Sequence, residues 1–110
     1  MTLPLTILVL FVAALLEAGG DALVRVGLHS GTSFARSLFF LAGAIALFCY
    51  GYLVNSPGWS FGDLIGVYVV LFFITAQLIS YFFFGTIPSK TTLMGGTFII
   101  AGGVLISIGH

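Results

Sequence analysis

Polar residues in this chain are few and clustered, and the apolar runs between them fall into four segments, roughly 3–28, 37–54, 62–84 and 92–109. Each is near the ~20 residues that a helix needs to cross a bilayer. The breaks carry turn chemistry: His29, Ser30, Gly31 and Thr32 with Arg36 after them, then Asn55-Ser56-Pro57-Gly58, then Gly85 to Lys90 around Pro88. Connections this short make sequential helices antiparallel neighbours. The pattern predicts an all-α membrane protein, a single four-helix transmembrane domain over residues 1–110.

The first segment departs from a plain span. Glu17, Asp21 and Arg25 recur at one-turn spacing, so on a helix they fall on one stripe among Leu, Val, Ala and Gly. At about 1.5 Å per residue, Glu17 lies roughly 21 Å in from Leu3, inside a hydrocarbon core about 30 Å thick. An ionised acid at that depth costs about 2.5–3.5 kcal/mol, so the group has to be protonated, paired or facing a wet cavity.

The other segments offer partners for that stripe. Segment two has small residues at Ala42, Gly43, Ala46 and Gly51, interleaved with Phe48, Tyr50 and Tyr52; small residues let helices approach closely. Tyr50, Tyr52 and Trp59 read as an interfacial aromatic belt or as a cation-binding wall, with the belt favoured for Tyr52 and Trp59. In segment three Asp63 suits a helix N-terminus. Gly66, Val70, Phe73 and Gln77 share one face of it, and Tyr68, Thr75 and Ser80 add polarity. A phenol and an amide at membrane depth should face protein or water, which makes Tyr68 and Gln77 candidates to line the space that Glu17 faces. Segment four places Gly95-Gly96 and Gly102-Gly103 seven residues apart, a packing seam read as facing a second copy.

Composition narrows the function. The chain is 60% hydrophobic and 5% charged, with three acids against three bases, so no electrostatic footprint for nucleic acid exists. Arg25, Arg36 and Lys90 all lie at or near the first and third connections, which predicts those loops inside and both termini outside, in a prokaryotic cytoplasmic membrane. Cys49 is alone, which excludes a disulfide framework. The N-terminal stretch lacks a basic region and its apolar run continues to Leu28, so it is read as a retained span and not a signal peptide.

No enzyme constellation is visible. The glycine pairs lack the Gly-Lys-Ser or Gly-Lys-Thr of a phosphate-binding loop. His29 and His110 fall at opposite ends of the predicted bundle, so no metal site and no cofactor is expected. What remains is a buried acid pair with an ion gradient as its energy source. A carboxyl that takes up either a proton or a cationic substrate, but not both, couples the two fluxes. Four helices are few to enclose such a path, so a dimer is the expected unit.

These residues also carry a resemblance. Glu17-Ala18-Gly19-Gly20 resembles the Glu-x-x-Gly stretch of the small multidrug-resistance transporters, within the drug/metabolite transporter superfamily. Arg25 sits where many members have Lys, Gly95 and Gly102 resemble the glycines through which members dimerise, and Phe82-Phe83-Phe84-Gly85 is similar as well. The likeness covers most of the chain. Ile65 and Tyr68 stand where members usually have a Tyr-x-x-Trp pair, and Asp21 replaces a small or hydroxyl residue. The Pro57 connection and Gly66-Val67-Tyr68-Val69 look closer to the YnfA-type branch. The resemblance implies a homodimeric or paired heterodimeric exporter that exchanges protons for small cationic compounds, with Glu17 carrying both.

The function expected is therefore proton-coupled efflux, with Glu17 and Asp21 at the binding site and Tyr68 and Gln77 lining it. The alternatives are a structural or accessory subunit, in which Glu17, Asp21 and Arg25 make a buried ion pair that fixes helix register, and half of a lipid-linked flippase.

Overall fold

The computed structural model describes residues 2–109. It contains four helices: α1 Leu3–Leu28, α2 Ser33–Val54, α3 Phe61–Phe84 and α4 Lys90–Gly109. All four are long and apolar enough to cross a membrane, and the chain is an integral, multi-pass, all-α membrane protein. His110 lies outside the described residues.

The helix ends follow from local chemistry. Thr2 caps α1, its side chain accepting from the Leu5 amide, with a proline in the first helical positions where the missing N–H costs nothing. α2 begins at Ser33, four residues before the expected 37, because the Thr32 hydroxyl accepts from the Ala35 amide. Arg36, assigned to the loop from its charge, lies in the first turn of α2, and its guanidinium donates to the Leu28 carbonyl at the end of α1 at 3.4 Å. α3 carries Asp63 in its first turn and ends at Gly85 in the left-handed region, φ 67°. The Gly85 and Thr86 amides then return to the Tyr81 and Ser80 carbonyls, a closure that favours glycine.

Packing proceeds in a row, α2 on α1, α1 on α3, α3 on α4, and α4 approaches neither α1 nor α2 through its backbone. The resulting slab measures 49 × 34 × 19 Å. Two glycine-lined seams set the spacing. Along α1, Thr6, Ala13, Gly20 and Gly27 recur every seven residues and are all buried. A Cβ on Gly20 would come within 3.2 Å of the Gly43 carbonyl oxygen, and one on Gly43 within 3.1 Å of the Gly20 carbonyl oxygen. Gly27 lies equally tight against Phe39 and Phe40.

The second seam joins α3 to α4 and corrects the expectation that all four glycines of the paired motif face another copy. Gly96 packs on Phe73, Gly103 on Val70, and Gly66 of α3 receives Ile106 in return, all within one chain. Gly95 and Gly102 have open space around them. Neighbouring helix residues point about 100° apart, so an adjacent pair serves two different surfaces.

The hydrophobic core is displaced toward one end of the slab. It joins Leu10, Ala13 and Ala14 of α1 to Val54 of α2 and to Leu64, Val67 and Tyr68 of α3. Trp59, expected in an interfacial belt, packs against this cluster, whereas Tyr52 is 77% exposed.

Candidate functional site

One stripe of α1 organises the site. Leu10, Ala14, Glu17, Asp21 and Arg25 follow at spacings of four, three, four and four, the helical repeat of a single face. α3 covers its apolar half, leaving Leu10 and Ala14 wholly buried. Glu17 is part-buried, and Asp21 and Arg25 are exposed. α1 and α3 therefore meet over their first halves and part over their second halves, and Glu17 sits where they separate.

At that point the Tyr68 hydroxyl donates to Glu17 Oε1 at 2.8 Å. The phenol is itself held in an aromatic stack. Its ring lies 5.6 Å from Tyr50 of α2 and 6.0 Å from Phe72 one turn along α3. Tyr50 is also within electrostatic reach of Glu17 and Asp21. Three helices thus converge on one carboxyl, and the packing that fixes the phenol fixes the hydrogen bond.

Beyond Glu17 the parted helices flank an open cavity of 310 Å³. Asp21 and Arg25 line it from α1, Phe72, Ser80 and Phe84 from α3, and Thr86 from the connection that follows. The Arg25 guanidinium stands over the Phe84 ring, 5.7 Å from its centroid, bridging the two helices at the mouth. A second cavity of 490 Å³ shares Ala22, Ile79 and Phe84 with the first and is otherwise walled by apolar residues such as Leu15, Leu23 and Phe83. The α1–α3 opening therefore has a polar flank and an apolar flank.

Among the described residues, neither Glu17 nor Asp21 makes an ion pair, and Arg25 engages the Phe84 ring. The buried Glu17–Asp21–Arg25 ion-pair arrangement is therefore absent from this structure. Gln77 is not brought to the site either. Nine residues separate it from Tyr68, about 900° of helix rotation, which places it on the opposite side of α3. It shares that side with Val70 and Phe73, which pack on Gly103 and Gly96 of α4. Among the described residues no group of three His, Cys, Asp or Glu is placed to hold a metal.

Phe72, Ser80, Phe84 and Thr86 reach the site without having been singled out for it, whereas Tyr50, read as belt or cation-binding wall, lies against Tyr68. Counting back and forth from Tyr68 at helical spacing picks out Phe72, Ala76, Ile79 and Ser80, so part of this wall was available from periodicity. Thr75 is on the same α1-facing side, buried, with its hydroxyl unpartnered, and so is Thr6 on α1.

No family model matches the chain, and no solved structure matches it. It is 27% identical over 103 residues to a UPF0060 membrane protein of Clostridium beijerinckii, an alignment that covers 92% of this chain and 90% of the relative. The similarity runs nearly end to end and is to a membrane protein, in keeping with four helices long and apolar enough to cross a membrane.

Proposed function

We propose that this protein is a proton-coupled exporter of small organic cations that works as a dimer in the cytoplasmic membrane. The observation that carries the proposal is a carboxyl at membrane depth whose direct hydrogen-bond partner is the neutral Tyr68 phenol. A carboxylate locked to a guanidinium is held ionised and has little tendency to take up a proton. One held by a phenol beside a polar cavity retains a place for either a proton or an organic cation. Exclusive occupancy by the two links substrate movement in one direction to proton movement in the other.

Orientation follows from charge. Arg25, Arg36 and Lys90 gather at the end where α1 and α3 part, which assigns that end to the cytoplasm and both termini to the outside. The cleft then faces the compartment from which cargo is collected. Its polar flank lies on one side of a slab only 19 Å thick, and a second subunit of this or a related chain shields it from lipid. Gly95 and Gly102, bare on α4, supply a close-approach surface for that partner.

Purified protein in proteoliposomes under an imposed pH gradient tests the mechanism with a panel of quaternary ammonium and guanidinium compounds. Glu17→Gln is expected to abolish gradient-driven accumulation and the pH dependence of binding. Uphill transport retained by that variant would overturn the proposal.

A further inference from the structure

We propose that the cleft selects zwitterions, molecules bearing a cationic group and an anionic group a few ångströms apart, over simple cations. This rests on the transport reading above and specifies its cargo.

A cavity meant for bare cations gains nothing from a fixed positive charge in its wall, since like charges facing one another across a low-dielectric gap repel. This cavity nevertheless has Arg25 in its lining, together with Asp21 four residues before it, while Glu17 lies on the same stripe four residues before Asp21 and outside the lining. Four residues are about 6 Å of rise, so the Asp21 carboxyl and the guanidinium form an ordered pair of sites along one wall. The two ends do not neutralise each other, because Arg25 is drawn across the opening to the Phe84 ring.

Among the described residues the Arg25 guanidinium makes no hydrogen bond or ion pair beside its contact with the Phe84 ring. The N–H groups point outward from the edges of the guanidinium plane, where a carboxylate or phosphate accepts them in pairs. The Ser80 and Thr86 side chains stand in the same lining and add hydroxyl donors near that end. At the inner end the Asp21 carboxyl lines the cavity and suits an ammonium or guanidinium group, with Glu17 and its Tyr68 partner beyond it on the same stripe of contacts. A compound with both ends satisfies both sites, whereas a cation alone leaves Arg25 unpaired and opposing it.

Lipid headgroup phosphate has the same chemistry as the anionic end, so the test is run first in maltoside micelles without added phospholipid. Binding is measured for matched pairs that differ by one carboxylate, glycine betaine against choline and arginine against agmatine. In each pair the carboxylate-bearing member is expected to bind at least about tenfold more tightly, the yield of one charge-assisted contact. Arg25→Gln is expected to erase that preference, and Arg25→Lys to restore part of it.

Equal or weaker binding of the carboxylate member in both pairs overturns the inference. So does a preference that survives Arg25→Gln, or an Arg25→Gln variant that binds every compound as the unaltered protein does, which would leave Arg25 serving lipid phosphate alone. The transport reading fails separately, through retained proton coupling in Glu17→Gln. Proton-driven export of choline with no preference for betaine would sink the zwitterion inference and leave the exporter standing.

Discussion

The Tyr68 hydroxyl and the Glu17 carboxylate meet at 2.8 Å where α1 and α3 begin to part. Above this contact the two helices share a packed core, and below it they flank an open polar cavity. The hydrogen bond thus lies at the boundary between the part of the structure that holds the fold and the part open to cargo.

Tyr68→Phe keeps the ring stack with Tyr50 and Phe72 and removes only the donor. A double-mutant cycle with Glu17→Ala, which removes the acceptor, followed by unfolding in mixed micelles, is expected to return a coupling of about 0.6–1.5 kcal/mol. Transport by Tyr68→Phe should be slower. A coupling near zero would show that the phenol and the carboxyl do not act on one another.

Gly20→Val and Gly43→Val should each weaken the α1–α2 seam, since either side chain would strike the facing backbone. Overpacking of this kind costs about 1–3 kcal/mol. Gly51→Val on the same helix meets open space and serves as the control. Thermal unfolding followed by far-ultraviolet circular dichroism in detergent distinguishes them.

The split glycine pairs of α4 give a paired outcome. Gly103→Leu is expected to disturb the α3–α4 contact at Val70 and lower the melting temperature of the protein at any concentration. Gly102→Leu projects from the other surface and should leave the single chain folded while shifting the monomer–dimer balance, read by size and light scattering. Identical behaviour of the two variants would contradict the seam described for α4.

Arg25→Ala and Phe84→Ala remove the two halves of one cation–π contact. Because this contact is exposed, each is expected to cost less than about 1 kcal/mol, with little further loss in the double variant. A buried ion pair at Arg25 would instead make the loss several times larger.

Thr6→Val and Thr75→Val replace buried hydroxyls that lack a partner. Both should hold or raise stability, by up to about 1 kcal/mol, because the hydroxyl is desolvated without compensation. A clear loss in either would point to a bridging water at that position.

The span pattern was legible because membrane helices leave a strong signal in length and hydropathy; α1 begins and ends where the apolar run does. The start of α2 was misplaced because Arg36 looks like loop chemistry, and only the Thr32 cap shows that the helix is already under way. The cost of burying a carboxyl drew attention to Glu17, and Tyr68 was found through its polarity. Gln77 was grouped with Tyr68 on polarity as well, although helical rotation sets the two on opposite sides of α3. Tyr50 stayed open between an aromatic belt and a cation-binding wall because its place depends on how α2 is laid across α1, and that is decided by small residues at a crossing more than by the tyrosine itself.

A slab only 19 Å thick has little interior, which changes how such a chain would drift over time. Most positions touch only acyl chains and would accept one greasy residue for another, so overall divergence can be large while the architecture persists. Intolerance would concentrate at a handful of sites too small to enlarge, such as Gly20, Gly43, Gly96 and Gly103. A saturation mutagenesis map of this protein should therefore look sparse, with its darkest marks on residues that contribute almost no side chain at all.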